Sequence, residues 1–172
     1  ILGLLAIEPN GPPFYNVAYG GHKQSHLKNS KTDKKREGDK EWYITASEPD
    51  RPGGITYLPL TFEPPLKENE SLISELDTSP TKDSLVQCYL QKEPARKLKN
   101  LQNLPILILS AEASYHSPYD HGTSNFLKQA GVEHDFIRLE DNGIHGNGHM
   151  MMLEKNNHQI ADFLLKWMNS KL

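Results

Sequence analysis

Several features that mark common classes of protein are missing from this sequence. Cys88 is its single cysteine, which excludes an internal disulfide framework and leaves the redox compartment undecided. No apolar run approaches the ~18 residues that a membrane-spanning helix needs. Lysines and arginines number 19 against 22 aspartates and glutamates, so the net charge of −3 provides no general attraction for nucleic acid or anionic lipid. We therefore expect no nucleic-acid partner and no membrane span.

The sequence also lacks a starting methionine and the regions that make up a secretory signal peptide. It begins at Ile1, within an apolar run typical of a buried strand. This beginning predicts that the 172 residues are a piece of a longer protein. Localisation and oligomeric state are left open.

Three short apolar runs predict the strands of a parallel sheet, because strands covered on both faces are apolar almost throughout. They occupy residues 1–7, 106–109 and 135–139. Parallel strands need crossover connections, which are usually helices. We therefore expect helices between and after these runs.

Three helices are predicted. Asp83 can cap a helix over residues 84–90. Thr123 or Ser124 can cap a second helix, which Gly131 would stop. Apolar residues at helical spacing predict a terminal helix with one buried face, formed by Ile160, Phe163, Leu164, Trp167 and Met168. Alternating strands and helices are typical of the α/β class.

Residues 20–52 differ in composition from the rest of the chain. Charged residues of both signs alternate there, and aliphatic residues are almost absent. Such a segment cannot offset its ordering entropy by burial, so we expect a mobile, lysine-rich surface insertion. A nucleic-acid patch is the alternative, and the mixture of both charge signs counts against it.

Residues 143–157, which read GIHGNGHMMMLEKNN, contain the first candidate for a reactive group. Their glycines allow tight or left-handed turns around His145 and His149. The apolar run at 150–153 is expected to anchor this loop in a core. His149, which directly precedes that run, is the candidate. The alternative is a turn whose histidine only satisfies backbone hydrogen bonds.

Glu8 is the second candidate. It follows the first apolar run and precedes a block of prolines, so it lies at the carboxyl end of a predicted strand. Open α/β sheets bind their ligands at that end. A solvated loop carboxylate is the alternative.

The strand ending in Glu8, the segment LPILILSAEASYH and the segment GIHGNGHMMMLEKNN before a terminal helix together resemble the α/β-hydrolase fold family. The sequence is most similar to an esterase-like branch found in fungi and bacteria. The resemblance covers the three strands and the C-terminal part of the chain, and hardly touches residues 20–52. It implies that residues 1–172 are the C-terminal portion of a single α/β-hydrolase domain, without its first half.

The resemblance implies a catalytic triad in the chain order nucleophile, acid, histidine. Glu8 matches the acid and His149 the general base. No Gly-x-Ser-x-Gly elbow occurs, so the nucleophilic serine is expected upstream of Ile1. The implied activity is that of a serine-type hydrolase acting on a small-molecule carboxylic ester, by acyl transfer to water. The 172 residues alone are expected to be inactive.

Several alternatives stay open. In many α/β-hydrolases the acid follows the next strand, where Glu112 and Asp120 lie. His145 and His149 have the spacing of zinc ligands on a helix, but the glycines between them oppose a helix, so no metal is expected. No cofactor is implied. The last alternative is a non-catalytic relative that keeps the fold and binds a ligand, or an inactive fragment.

Overall fold

The computed structural model describes residues 1–9, 60–67, 70, 72–78, 85 and 88–171, together with the backbone of three strands between residues 16 and 45. In chain order, the strands are β1 (Leu4–Ile7), β2 (Asn16–Tyr19), β3 (Thr32–Glu37), β4 (Lys40–Thr45), β5 (Ser74–Leu76), β6 (Tyr89–Gln91), β7 (Ile106–Ser110) and β8 (Asp135–Arg138). The α-helices described are α1 (Asp120–Gln129) and α2 (Asn157–Lys171). Short 3-10 helices occupy Lys99–Leu101, Leu139–Asn142 and Met151–Leu153. In this described part, neither α-helix has the length and apolar character needed to cross a membrane.

Strands β1, β7 and β8 form a parallel sheet with β7 in the centre. All five residues of β7 are buried, as expected of a strand covered on both faces. The register pairs Ile7 with Leu109, which brings the carboxyl ends of β1 and β7 to the same edge of the sheet. The three predicted strands are therefore present, and the described residues have an α/β arrangement.

The side chains of β7 alternate between two hydrophobic cores. Ile106 and Ile108 belong to the core that includes apolar residues of α1, and Leu107 and Leu109 to the core that includes apolar residues of α2. Because successive side chains of a strand point to opposite faces, the two helices cover opposite faces of the sheet. Burial of each such side chain contributes about 1.5–3 kcal/mol. The predicted apolar face of the terminal helix is confirmed by the burial of Trp167.

The helix predicted over residues 84–90 is wrong at its C-terminal end. Tyr89 and Leu90 lie in β6, which pairs antiparallel with β5, and residues 86 and 87 lie outside the described residues. The Gln129 side chain of α1 accepts a hydrogen bond from the Gln91 N–H (2.9 Å) and donates to its carbonyl (2.8 Å). These tertiary contacts satisfy the backbone N–H and carbonyl of Gln91 in β6, and they outweigh the local helical pattern.

Helix α1 begins at Asp120, earlier than the predicted caps. Thr123 and Ser124 lie within the helix and are buried, so neither is its cap. Asp120 occupies the first turn, where an acidic side chain suits the positive end of the helix dipole. Gly131 follows the helix with a φ of 75°, which confirms the predicted stop.

Part of the lysine-rich segment has regular structure. Strands β3 and β4 lie within residues 20–52 and pair antiparallel, with β2 on the other side of β4. The expectation that this segment is too polar to order itself is therefore wrong for these strands. Residues 42–45 (WYIT) are aromatic or β-branched and favour a strand, which the scarcity of aliphatic residues obscured. The other residues of 20–52 lie outside the described residues, and mobility of the segment stays a prediction.

Candidate active site

Glu8 lies directly after β1, at the edge where the parallel strands end. Its N–H donates to the Leu109 carbonyl at 2.9 Å, and its φ of 46° then turns the chain out of the strand. Glu8 is only 4% exposed. Its Oε1 accepts a hydrogen bond from the Ala111 N–H (3.0 Å), and its Oε2 accepts one from the Ser114 hydroxyl (2.8 Å). Two donors from the loop after β7 thus hold a buried carboxylate in one orientation.

His149 is brought against this carboxylate from the other end of the chain. Its Nδ1 lies 2.6 Å from Glu8 Oε2, which is a short hydrogen bond. The His149 side chain is 36% exposed, whereas that of Glu8 is fully buried. The structure therefore brings the two main candidates together, with a buried acid behind a solvent-accessible imidazole whose Nε2 is free of this contact.

The loop that carries His149 is held by its own polar side chains. Glu154 accepts hydrogen bonds from the Gly148 N–H (2.8 Å) and from the Asn147 side-chain amide. Asn147 and Asn156 exchange hydrogen bonds through their side chains at 2.7 and 2.9 Å. The Asn147 carbonyl accepts a hydrogen bond from the Ala113 N–H (2.9 Å), which joins the loop to the segment after β7.

The methionine-rich run contributes less to this anchoring than its composition predicts. Met151 is buried, but Met150, Met152 and Leu153 are exposed. The expectation of an apolar anchor over residues 150–153 is therefore wrong for all but Met151. Because the run forms a 3-10 turn on the surface, only one of its side chains can face the core. Hydrogen bonds hold most of the loop instead.

Glu112, one alternative acid, is paired with a different histidine. Its Oε2 accepts a hydrogen bond from the Gly146 N–H (2.8 Å) and lies 3.2 Å from His145 Nδ1. The Gly146 bond is the main reason that the pKa of Glu112 is lowered, with His145 adding to it. Both side chains are exposed. This pair lies on the surface and helps to tie the His149 loop to the segment after β7.

Asp120, the other alternative acid, is paired with His116. The distance between His116 Nδ1 and Asp120 Oδ1 is 3.0 Å, and both side chains are almost completely buried. The His116 ring stacks on the His149 ring, with centroids 4.8 Å apart and planes 5° apart. Tyr115 also contacts His149, at a centroid distance of 4.9 Å. Two histidine–carboxylate pairs therefore lie side by side.

Burial dominates the electrostatics of the inner pair. It raises the pKa of Asp120, against the lowering effect of the hydrogen bond and charge of His116. Ser110 also lowers the pKa of Asp120, and its effect is the smallest of those named for this group. Within the described residues, the Ser110 hydroxyl has no hydrogen-bond partner, and neither has Asp120 Oδ2. Burial also raises the pKa of the neighbouring Tyr119 and Tyr115, and the nearby carboxylates add to both shifts. The environment thus disfavours additional negative charge.

Glu8, His116 and His149 could form a metal site, because one ligand atom from each lies within 4.8 Å of the others. Two histidines and a glutamate are a donor set of catalytic zinc. However, Glu8 Oε2 and His149 Nδ1 are only 2.6 Å apart, whereas two ligands of a tetrahedral zinc are separated by about 3.4 Å. The stacked rings also direct their in-plane lone pairs along parallel planes, so these do not converge on one ion. The geometry fits a hydrogen-bonded cluster better than a metal site.

Comparison with known proteins gives one relative. No family model matches the chain, and no solved structure matches it. A curated protein, "Probable secreted lipase phiG" from Fungal sp. (strain ATCC 74256), is 39% identical over 174 residues. The chain is similar to a lipase. The match covers 99% of the chain and 40% of that protein, so the chain spans about two fifths of the length of the relative it matches.

The sequence analysis missed two side chains that contact the Glu8–His149 pair. Ser114 donates to Glu8, and His116 stacks on His149. Both belong to the polar loop that follows β7. That loop follows a strand that ends at the same sheet edge as Glu8, so the position of its serine and histidine in the sequence already indicated that they could lie beside the site.

Proposed function

We propose that this protein belongs to a lipase- and esterase-like family with the α/β-hydrolase fold, and that it is a serine-type hydrolase of carboxylic esters. The observation that carries the proposal is the 2.6 Å hydrogen bond between Glu8 Oε2 and His149 Nδ1. It joins a buried carboxylate to a partly exposed imidazole across 141 residues of sequence. Similarity to a secreted lipase along 99% of the chain supports an ester hydrolase.

His149 acts in this proposal as the general base and then as the general acid. Glu8 keeps the proton of the neutral imidazole on Nδ1, so that Nε2 can take the proton of a serine hydroxyl as that oxygen attacks the ester carbonyl. The same proton then passes to the leaving alcohol, and a water repeats the sequence to release the acid. Glu8 stabilises the imidazolium in both steps. Base assistance of this kind contributes about 10²–10⁴-fold to the rate.

The nucleophilic serine and the oxyanion hole are assigned to residues outside this sequence. Within the described part of the chain, no serine hydroxyl is hydrogen-bonded to His149, and Ser114 donates to Glu8 instead. The resemblance to α/β-hydrolases implies a nucleophile upstream of the acid, which supports this assignment. Residues 1–172 then form the C-terminal portion of one hydrolase domain and are inactive alone.

The surroundings of His149 suit a substrate with an apolar part. Tyr115 contacts the imidazole ring, and Met150 follows His149 directly; both side chains are exposed. Apolar surface beside the reacting group would bind the acyl or alcohol part of a small-molecule ester.

Hydrolysis of p-nitrophenyl esters by the protein at its full natural length tests the proposal. His149→Ala should lower kcat by about three orders of magnitude or more, and His145→Ala is the matched control because its side chain is exposed and bound to Glu112. A fluorophosphonate probe should label one serine. Full activity of His149→Ala would contradict the role of the base. A wild-type protein that binds esters without hydrolysing them would favour the non-catalytic alternative.

A further inference from the structure

The buried pair formed by His116 and Asp120 has no role in the mechanism above. Its side chains are 2% and 0% exposed, so neither can take part directly in a reaction at the surface. Burying two ionisable groups is costly unless they are well paired. His116 of this pair lies directly against His149, and Asp120 lies behind it.

The His116 ring restrains the plane of the His149 ring that is stacked on it. The planes are 5° apart at a centroid distance of 4.8 Å. His116 is itself held by the 3.0 Å contact of its Nδ1 with Asp120 Oδ1 and by Tyr119, whose ring lies 5.0 Å away. A ring that is fixed in this way limits rotation of the ring stacked on it. In the restrained plane, His149 Nδ1 meets Glu8 Oε2.

The charges around His116 suit this arrangement. The titratable groups that face it are Asp120, Tyr115, Tyr119, Glu8 and His149. The Asp120 carboxyl lies 3.0 Å from His116 Nδ1, on the inner side of the stack. A carboxylate there would offset positive charge on either ring of the stack, whereas an imidazolium 4.8 Å from His149 without such a partner would repel the charge that forms on His149 during the reaction.

We propose that His116, held by Asp120, is a positioning residue that keeps the His149 ring in the plane of its hydrogen bond to Glu8. The consequence for catalysis rests on the proposed function. The consequence for the geometry of His149 does not, because it concerns contacts among the described residues alone.

The Nδ1 proton of His149 reports this geometry directly. In the ¹⁵N-labelled protein at its full natural length, a proton held in a short hydrogen bond to Glu8 gives a separate downfield resonance. His116→Ala removes the stacked ring and should broaden or abolish this resonance. We also expect kcat for a p-nitrophenyl ester to fall about 10- to 100-fold while KM changes less than about threefold, since a misplaced reacting group affects the chemical step.

Two further variants keep the test decisive. His134→Ala is the matched control, because His134 is also partly buried and hydrogen-bonded, to Ser124 Oγ (2.8 Å) and the Val132 carbonyl (3.0 Å). It should leave the His149 resonance and kcat unchanged. Asp120→Leu replaces the buried carboxyl with an apolar side chain and frees His116 to rotate. It should weaken the resonance, and it decides the matter if His116→Ala does not fold.

The positioning role is overturned if the His149 resonance is unchanged in His116→Ala. If His116→Ala does not fold, an unchanged resonance in Asp120→Leu overturns it instead. A loss of the resonance in His134→Ala would also overturn it, because the signal would then report general loosening. Failure of the proposed function is seen separately. If His149→Ala keeps full esterase activity, the proposed function is wrong, while the resonance still decides how His149 is positioned.

Discussion

Replacing Glu8 with glutamine should remove most activity while leaving the fold nearly intact. The carboxylate accepts hydrogen bonds from the Ala111 N–H, the Ser114 hydroxyl and His149 Nδ1, at 3.0, 2.8 and 2.6 Å. Glutamine has the same shape, but an NH₂ group replaces one of the two acceptor oxygens. In either orientation of the glutamine amide, its NH₂ group therefore faces a group that now donates to Glu8.

The two orientations of the glutamine amide differ in cost. With NH₂ toward Ala111, two N–H groups face each other, and a buried unsatisfied donor costs about 1–3 kcal/mol. With NH₂ toward Ser114 and His149, the serine hydroxyl can rotate to accept, and His149 can accept on Nδ1 if its proton moves to Nε2. The second orientation avoids the cost, but a protonated Nε2 cannot act as a base. The equivalent change in a serine protease lowers kcat by about 10⁴-fold.

Initial rates of p-nitrophenyl ester hydrolysis and a thermal melt, both on the protein at its full natural length, check this prediction. We expect kcat to fall by about 10³–10⁴-fold for Glu8→Gln, with Tm changed by a few degrees at most. Glu112→Gln is the matched control, because it alters an exposed carboxylate that is paired with His145. The reasoning is refuted if Glu8→Gln stays within about tenfold of wild type, or if Glu112→Gln loses more activity than Glu8→Gln does.

Two further predictions concern the His149 loop and the core. Glu154→Gln removes one of the two carboxylate oxygens that accept hydrogen bonds from Gly148 and Asn147, so His149 should be displaced and kcat should fall about tenfold. Glu133→Gln, at an exposed position, is the control. Equal values of kcat for the two variants would contradict the role of the loop. Ile108→Ala should lower the free energy of unfolding in urea by about 2–5 kcal/mol, because Ile108 is fully buried in the central strand. Leu165→Ala, at an exposed position of α2, should change the free energy of unfolding by about 0.5 kcal/mol or less. If both variants unfolded at the same urea concentration, the two positions would not differ as their burial predicts.

The central sheet could be predicted because its signals are local. Runs of apolar residues marked β1, β7 and β8, and helical spacing marked α2. Strands that run parallel end at one edge, so the position of Glu8 at the end of β1 already placed it beside the loop after β7. The pairing of Glu8 with His149 depended on the resemblance to a family, since 141 residues separate them.

The inner pair could not be predicted from local pattern. His116 and Asp120 are four residues apart, but turns precede α1 and only Asp120 lies in the helix, so helical spacing did not apply. Their contact depends on how the loop after β7 folds beneath His149. The prediction that the methionine run anchors the loop was wrong for a different reason. Its composition is apolar, yet a surface turn leaves Met150 and Met152 in water.

The backbone at Glu8 has a consequence for engineering. A φ of 46° lies in the left-handed region, which costs a residue other than glycine about 1–2 kcal/mol. The backbone at position 8 therefore favours glycine or asparagine, whereas the proposed chemistry requires a carboxylate. Glycine at position 8 would relieve this backbone cost, but it would leave the Ala111 N–H and the Ser114 hydroxyl without their acceptor, at about 1–3 kcal/mol for each buried unsatisfied donor. Libraries built to stabilise this protein should leave position 8 unchanged and look for their gains in residues remote from the sheet edge.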